Sequence, residues 1–341
     1  MDDVPLLLPP NQFPHFYRGG ARIGALRGGP GGPQRPEEWI GSTVTRFGEE
    51  RSGLSVLPDG RLLRDAVAAD PQAWLGAAHV AAFGASTELL VKLLDLDQRL
   101  PVHAHPPKAF ARTHLALSHG KTEAWVVLEA LEGAGVGLGF AREMRRAELV
   151  DLVQRRDAAA LLAALYRRPV HRGDTVLVPA GVPHAVDAGI FVLELQEPTD
   201  LSILLEWEGF AVDGERDGHL GLGFATALDA VRLEPLTPEE RDGLVRSEVL
   251  HGGAPRSLLA RPADGYFRAD LLPRGGSVAA GFAVALVLDG SGRLRTESEA
   301  AVRLDRGAAL VVPWAAGGWE VDGADVVVCR PPLPADALVA R

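Results

Sequence analysis

The residues in this 341-residue chain best suited to chemistry are histidines and glutamates in three short stretches. In LPVHAHPPKAF, His103 and His105 stand two positions apart. Alternate side chains of an extended strand share a face, so both imidazoles can reach one cation. The same spacing equally describes an ordinary strand with two solvent-facing histidines. In HGKTEAWVVLE, Glu123 precedes an apolar run, and Lys121 falls on the same face if that segment is extended. A glutamate at a strand start is otherwise a solvated group. The third stretch, GDTVLVPAGVPHAV, has the pattern G-x5-P-x-G-x2-H. It reads as a two-strand hairpin, with turns at Gly173-Asp174 and Pro179-Ala180-Gly181 and with His184 opening the returning strand. Its plain alternative is a Gly/Pro loop carrying an incidental histidine.

Strands must position these groups. TELLVKLLDL is mostly apolar, as expected of a strand buried on both faces. DTVLVPAG and IFVLELQEP give further strands, and the last hundred residues show short apolar runs broken by Gly. Helices interrupt this pattern. Asp70–Ala77 predicts a short helix capped by Asp70 with Pro71 at its first position. Met144–Arg168 has apolar residues at helical spacing and predicts a helix pair, the second capped by Asp157 and ending at Arg167 and Arg168. TPEERDGL carries a capping signal at Thr237. Residues 1–70 are rich in Gly and Pro and predict short extended pieces joined by turns. The expected fold class is mainly β, with sandwich-like units and inserted helices.

Composition narrows the function classes. With 47% hydrophobic and 23% charged residues, the chain can bury a large core. A formal net charge of −10 argues against a nucleic-acid partner. The single cysteine, Cys329, forbids an internal disulfide and fits a cytoplasmic setting. The N-terminus lacks the pattern of a signal peptide, and no apolar run is long enough to predict a membrane span, so no membrane partner is expected.

Together, HxH, Glu123 and G-x5-P-x-G-x2-H resemble the two-part signature of the cupin double-stranded β-helix, a jelly roll. The resemblance implies that His103, His105, Glu123 and His184 bind one divalent metal inside the barrel. Three imidazoles and a carboxylate suit Zn²⁺, and Mn²⁺, Fe²⁺ or Ni²⁺ also fit. Within the cupins the chain is similar, nearly end to end, to type I mannose-6-phosphate isomerase. The resemblance rests on FYRGGARIGALRG, EEWIGST, LLVKLLDLDQRLPVHAHP, GKTEAW, PAGVPHAV and LELQEPTDLSILLEW. It implies a metal-binding cupin domain over residues 1–240 with a helical insertion near 141–168. A C-terminal cupin-like domain would follow over 241–341. The last histidine is His251, so that domain can supply no comparable site.

Two positions depart from the family pattern. The first metal ligand is normally glutamine, and here it is His103. The family's arginine, assigned to charge stabilisation near the sugar, falls on Leu204, and no arginine stands anywhere in DLSILLEWEGF. Lys92, Lys108, Arg112 and Lys121 are the candidate replacements, the first three as substrate-binding groups. The resemblance further implies aldose–ketose isomerisation through an enediolate, with Glu194 as base, Asp200 as a second acidic group and Lys121 as proton relay or sugar-orienting donor. The expected partner is a small sugar or sugar phosphate. The alternatives are an isomerase or epimerase for a different or unphosphorylated sugar and a non-catalytic sugar-binding cupin.

Overall fold

The computed structural model describes residues 2–334. Residues 335–341, which close the expected C-terminal domain, lie outside the described residues. The mainly β expectation holds, with strands in three antiparallel sheets. The first has six strands in the spatial order Val245–Arg246, Thr175–Val178, Glu123–Ala130, Ile190–Gln196, Leu90–Asp95 and Glu37–Ile40. The second has five, in the order Ile203–Leu204, His103–Ala104, His184–Val186, Gly135–Phe140 and Leu165–Pro169. The third has eight strands, built from residues 256–330 and from Leu6–Leu7, which pairs with Ala309–Val312.

The strand Leu90–Asp95 is buried at every position, as its apolar run predicts. A continuous apolar core joins Val91, Leu93, Leu193 and Leu195 of the six-stranded sheet to Val284, Leu286, Val311 and Val327 of the eight-stranded sheet. Each such buried side chain contributes about 1.5–3 kcal/mol. The alternate positions, Lys92 and Glu194, point to the opposite face and are buried with polar partners instead. The six-stranded sheet therefore has one face for stability and one for chemistry.

The helix pair inserts between Gly135–Phe140 and Leu165–Pro169, as Arg146–Gln154 and Ala158–Ala164, and Asp157 accepts from the Ala160 N–H. The second helix stops at Ala164 rather than at Arg167 and Arg168. Those arginines lie in a strand registered on Val136 and Gly137, and Pro169 disfavours helix at the residue before it. The caps at Asp70 and Thr237 form as expected, the latter as a complete capping box.

Two helices, Ala21–Arg27 and Leu63–Ala69, occupy the Gly/Pro-rich region where only extended pieces were expected. Neither has a side-chain cap, so neither leaves a start signal.

The segment Gly173–Val186 is not a hairpin within one sheet. Thr175–Val178 lies in the six-stranded sheet and His184–Val186 in the five-stranded sheet, so the intervening turn carries the chain across the barrel. Gly181, at φ +90°, donates its N–H to the His105 carbonyl at 2.6 Å, which ties this turn to the HxH segment.

Candidate active site

The five-stranded sheet brings His103 and His184 together as a direct cross-strand pair. His105 follows two residues after His103, and the ring centroids of the three imidazoles are 4.0–4.9 Å apart. Each Nδ1 faces a backbone carbonyl: His103 that of Pro101 at 2.8 Å, His105 that of Leu201 at 2.7 Å and His184 that of Val182 at 2.9 Å. A carbonyl only accepts, so each Nδ1 carries the proton and each Nε2 presents a lone pair. The three side chains offer ligand atoms that lie within 4.8 Å of one another.

Glu123 enters from the other sheet, with Oε2 3.0 Å from His105 Nε2 and Oε1 3.2 Å from His184 Nε2. Between an unprotonated nitrogen and a carboxylate oxygen there is no hydrogen to share, and His184 Nε2 is a buried atom without a hydrogen-bond partner. Four fully buried acceptors converging in this way fit a divalent cation, and carbonyl-braced imidazoles are the usual support for one. Protonation states agree. Burial and the Lys121 charge push His105 down to about 3, and burial with the neighbouring imidazoles holds His103 well below its usual range. Burial alone would raise Glu123, but Lys121 and the histidine contacts outweigh it and keep the carboxyl ionised.

The six-stranded sheet supplies a second row. Trp39 pairs with Lys92, Lys92 with Glu194, and Glu194 with Trp125. The Lys92 ammonium sits 3.5 Å from Glu37, 3.8 Å from Glu194 and 3.5 Å from Asp200, and lies over the Trp39 ring. Trp125 donates its indole N–H to Glu194 Oε2 at 3.1 Å. Burial and the Glu123 charge raise the Glu194 carboxyl to about 7, against the opposing lysines. The ammonium of Lys121 joins Glu123 to His105, 2.6 Å from Glu123 Oε2 and 2.9 Å from His105 Nε2.

These groups line a cavity of about 550 Å³. Lys92, His103, Lys121, Glu123, Glu194 and Asp200 all face it, and His105 and His184 close the focus behind them. Lys108 and Arg112 are not among the described residues that line it. Lys108 instead pairs with Glu197 at 3.1 Å, and Arg112 is an exposed residue on the helix Lys108–Leu115. Leu204 lines the cavity with an apolar side chain.

Sequence reading did not single out His15, Glu37, Arg46 or Arg216, which also line the cavity. His15 and Tyr17 reach Glu37 because the chain approaches the strand Leu90–Asp95 closely at Gly19, where a Cβ would meet the Asp95 carbonyl oxygen at 1.7 Å. A lone histidine in a loop carries no motif. Glu37 lies in EEWIGST, but its strand Glu37–Ile40 is buried at every position and shows no polar–apolar alternation to mark it.

No family model matches the chain. Among curated proteins it is 38% identical over 130 residues to the mannose-6-phosphate isomerase of Streptococcus mutans, covering 37% of this chain and 40% of that protein. It is 33% identical over 134 residues to the mannose-6-phosphate isomerase ManA of Bacillus subtilis, covering 39% and 41%. The matched segment thus spans about two fifths of these relatives.

Among solved structures, the mannose 6-phosphate isomerase from Bacillus subtilis superposes with a TM-score of 0.73 at 22% identity, over 96% of this chain and 99% of that one. A mutant of phosphomannose isomerase from Salmonella typhimurium gives 0.73 at 17% over 96% and 100%. A mannose 6-phosphate isomerase bound with zinc and yttrium gives 0.71 at 16% over 96% and 100%. The sequence resemblance is found over about two fifths of the chain, and the chain has the cupin-type fold of these proteins.

Proposed function

We propose that this chain, which shares its fold and part of its sequence with mannose-6-phosphate isomerases, is a metal-dependent aldose–ketose isomerase of that type, interconverting mannose 6-phosphate and fructose 6-phosphate. The observation that carries the reading is the convergence of three carbonyl-braced imidazoles and Glu123 at the floor of a cavity that also holds a buried carboxylic acid poised near neutrality. His103, His105, Glu123 and His184 would hold the ion, and bound there it supplies Lewis acidity toward the sugar's carbonyl and hydroxyl oxygens. Zn²⁺ is the first choice for this donor set, in line with the zinc named for one solved neighbour.

The remaining steps belong to the chain's own groups. Glu194, at about 7, is the base that takes the proton from one carbon and returns it to its neighbour through an enediolate. Lys121 points its ammonium at the metal focus and serves as donor to a sugar oxygen. Lys92 is a positioning residue, holding Glu194, Asp200 and Glu37 in one array. Asp200 also accepts from the Phe47 N–H at 3.2 Å, so it links this array to the cavity rim. We place these residues in a cupin unit expected over residues 1–240, although Val245–Arg246 extends its six-stranded sheet past that bound and Leu6–Leu7 joins the eight-stranded sheet of the second unit. The cavity wall at Leu204 favours a second reading, an unphosphorylated sugar, since leucine offers no donor there.

Assay of the metal-loaded protein on mannose 6-phosphate and fructose 6-phosphate tests the first reading. Turnover dependent on the divalent ion supports it. No turnover with any bound divalent metal rejects it, and turnover of free mannose alone selects the second.

A further inference from the structure

Resting on that reading, we infer that the cavity rim carries a phosphate clamp made of Arg46 and Arg216, which takes the place of the cation missing at Leu204. Both arginines line the cavity. They come from segments far apart in the chain, the loop after Glu37–Ile40 and the turn of helix Gly214–Asp217.

The floor is occupied by groups engaged with one another. It presents Glu37, Glu123, Glu194 and Asp200 against two ammoniums, and both ammoniums are engaged. Lys92 is within 3.8 Å of three of those carboxylates, and Lys121 is bound to Glu123 and His105. A dianion placed there would compete with these carboxylates for ammoniums already paired, and the charge of a bound ion would serve the sugar's reacting oxygens. The wall nearest His103 is Leu204, which gives the dianion nothing to bind.

The rim differs. The Arg46 side chain is 32% exposed and the Arg216 side chain 74% exposed. Arg46 contacts Glu49 at 3.3 Å and the Pro14 carbonyl at 3.4 Å, and Arg216 holds Asp217 at 2.7 Å. An exposed pair such as Arg46–Glu49 contributes only about 0–1 kcal/mol, so a dianion can replace that carboxylate at small cost. Asp217 takes the Nε–Nη2 edge of Arg216 in bidentate fashion, at 2.8 and 2.7 Å, so a phosphate would meet the Nη1 side of Arg216 together with the Arg46 guanidinium.

The two arginines also share a field. Asp217 is lowered by its hydrogen bond from Arg216 and further by the charge of Arg46, and that same Arg46 charge adds to burial in holding His15 below its usual range. Arg46 is therefore close to both Asp217 and His15, and its Nη1 reaches the Pro14 carbonyl beside His15. Both arginines share one cavity with His103, Glu123 and Glu194, so a sugar bound there has these guanidiniums as cations for its phosphorylated end.

The test is calorimetric binding of inorganic phosphate and of fructose 6-phosphate to the zinc-loaded wild type, to Arg46→Ala, to Arg216→Ala and to the double variant, with metal content and thermal midpoint recorded for each. The clamp predicts that wild type binds fructose 6-phosphate at least tenfold more tightly than fructose. It also predicts that the double variant loses at least tenfold for fructose 6-phosphate while retaining one zinc per chain. Arg46→Lys should recover part of the loss, which a purely structural role would not require. A double variant within threefold of wild type, or a wild type that binds fructose as tightly as its phosphate, overturns the clamp. None of these readouts needs turnover, so a protein that binds phosphate through these arginines yet isomerises nothing fails the proposed reaction alone.

Discussion

Leu204 lies directly opposite His103 across the antiparallel ladder of the five-stranded sheet. The two departures from the mannose-6-phosphate isomerase pattern are therefore one cross-strand pair, in direct side-chain reach. An imidazole stands where the family pattern has glutamine, and an apolar side chain, only 5% exposed, stands beside it.

This pairing predicts coupled effects on metal affinity. Leu204→Arg would set a buried positive charge next to a metal-binding imidazole, and affinity for Zn²⁺ should fall. His103→Gln replaces the imidazole with a weaker carbonyl donor and should lower affinity by about tenfold or more, the scale on which even supporting groups of a metal site act. In the double variant the arginine penalty should shrink, giving a coupling of about 0.5–3 kcal/mol. Competition against a chromophoric chelator measures all four corners of the cycle. Strict additivity would mean that the two positions are independent.

Metal removal should cost stability. An ion that binds the folded chain and not the unfolded one stabilises by about 2.7 kcal/mol when present at a hundred times its dissociation constant. Chelation should therefore lower the thermal midpoint of wild type. His184→Ala removes the imidazole whose Nε2 has no partner among the described residues other than the close Glu123 oxygen. Its midpoint should no longer respond to Zn²⁺ or to chelator, and scanning calorimetry with and without zinc decides it.

Glu194 gives a pH prediction with opposite signs for activity and stability. Its carboxyl titrates at about 7 when folded and near 4.3 in an unfolded chain. Between those values the unfolded state loses its proton first, so stability falls as pH rises through this window. Glu194→Gln should then raise the thermal midpoint at pH 8 and leave it near wild type at pH 4, while abolishing turnover. Wild-type activity should rise with pH through about 7 as the base ionises. Part of the upward push comes from Glu123, so the stability effect should be larger in metal-free protein. Equal midpoints at pH 8 would remove the physical basis for Glu194 as the tuned base.

The metal focus was legible because each of its residues sits in a motif whose spacing reflects geometry. His103 and His105 share a face by alternation, and Pro179 and Gly181 mark the turn that delivers His184. The wider site was less legible, since its members owe their meeting to sheet register and to a close backbone approach. Lys92 and Glu194 are cross-strand neighbours separated by about a hundred residues of sequence, and local pattern cannot show that. His15 reaches Glu37 only because the chain runs tightly past Asp95 at Gly19. Lys108 and Arg112 looked as suitable as Arg46 and Arg216 by residue type, and only the cavity separates them. The helix Ala158–Ala164 was extended too far because helical spacing continues past the point where pairing with Gly135–Phe140 takes over.

Lys92 should matter more for stability than a surface lysine does. Its side chain is 4% exposed, and its ammonium is the shared counterion of Glu37, Glu194 and Asp200. Lys92→Met keeps the length and the contact with Trp39 but leaves Glu37 and Glu194 buried without that charge. Removing one partner of a buried ion pair costs about 3–5 kcal/mol, because the remaining charge stays desolvated. Since Lys92 holds the Glu194 carboxyl down, its loss should also raise that carboxyl and move the activity profile to higher pH. Adding Glu37→Gln removes one stranded charge, so the double variant should recover part of the lost stability. Urea denaturation of the single and double variants reads the effect. A loss below 1 kcal/mol for Lys92→Met would mean that the carboxylates relax to water and that Lys92 does not hold the array together.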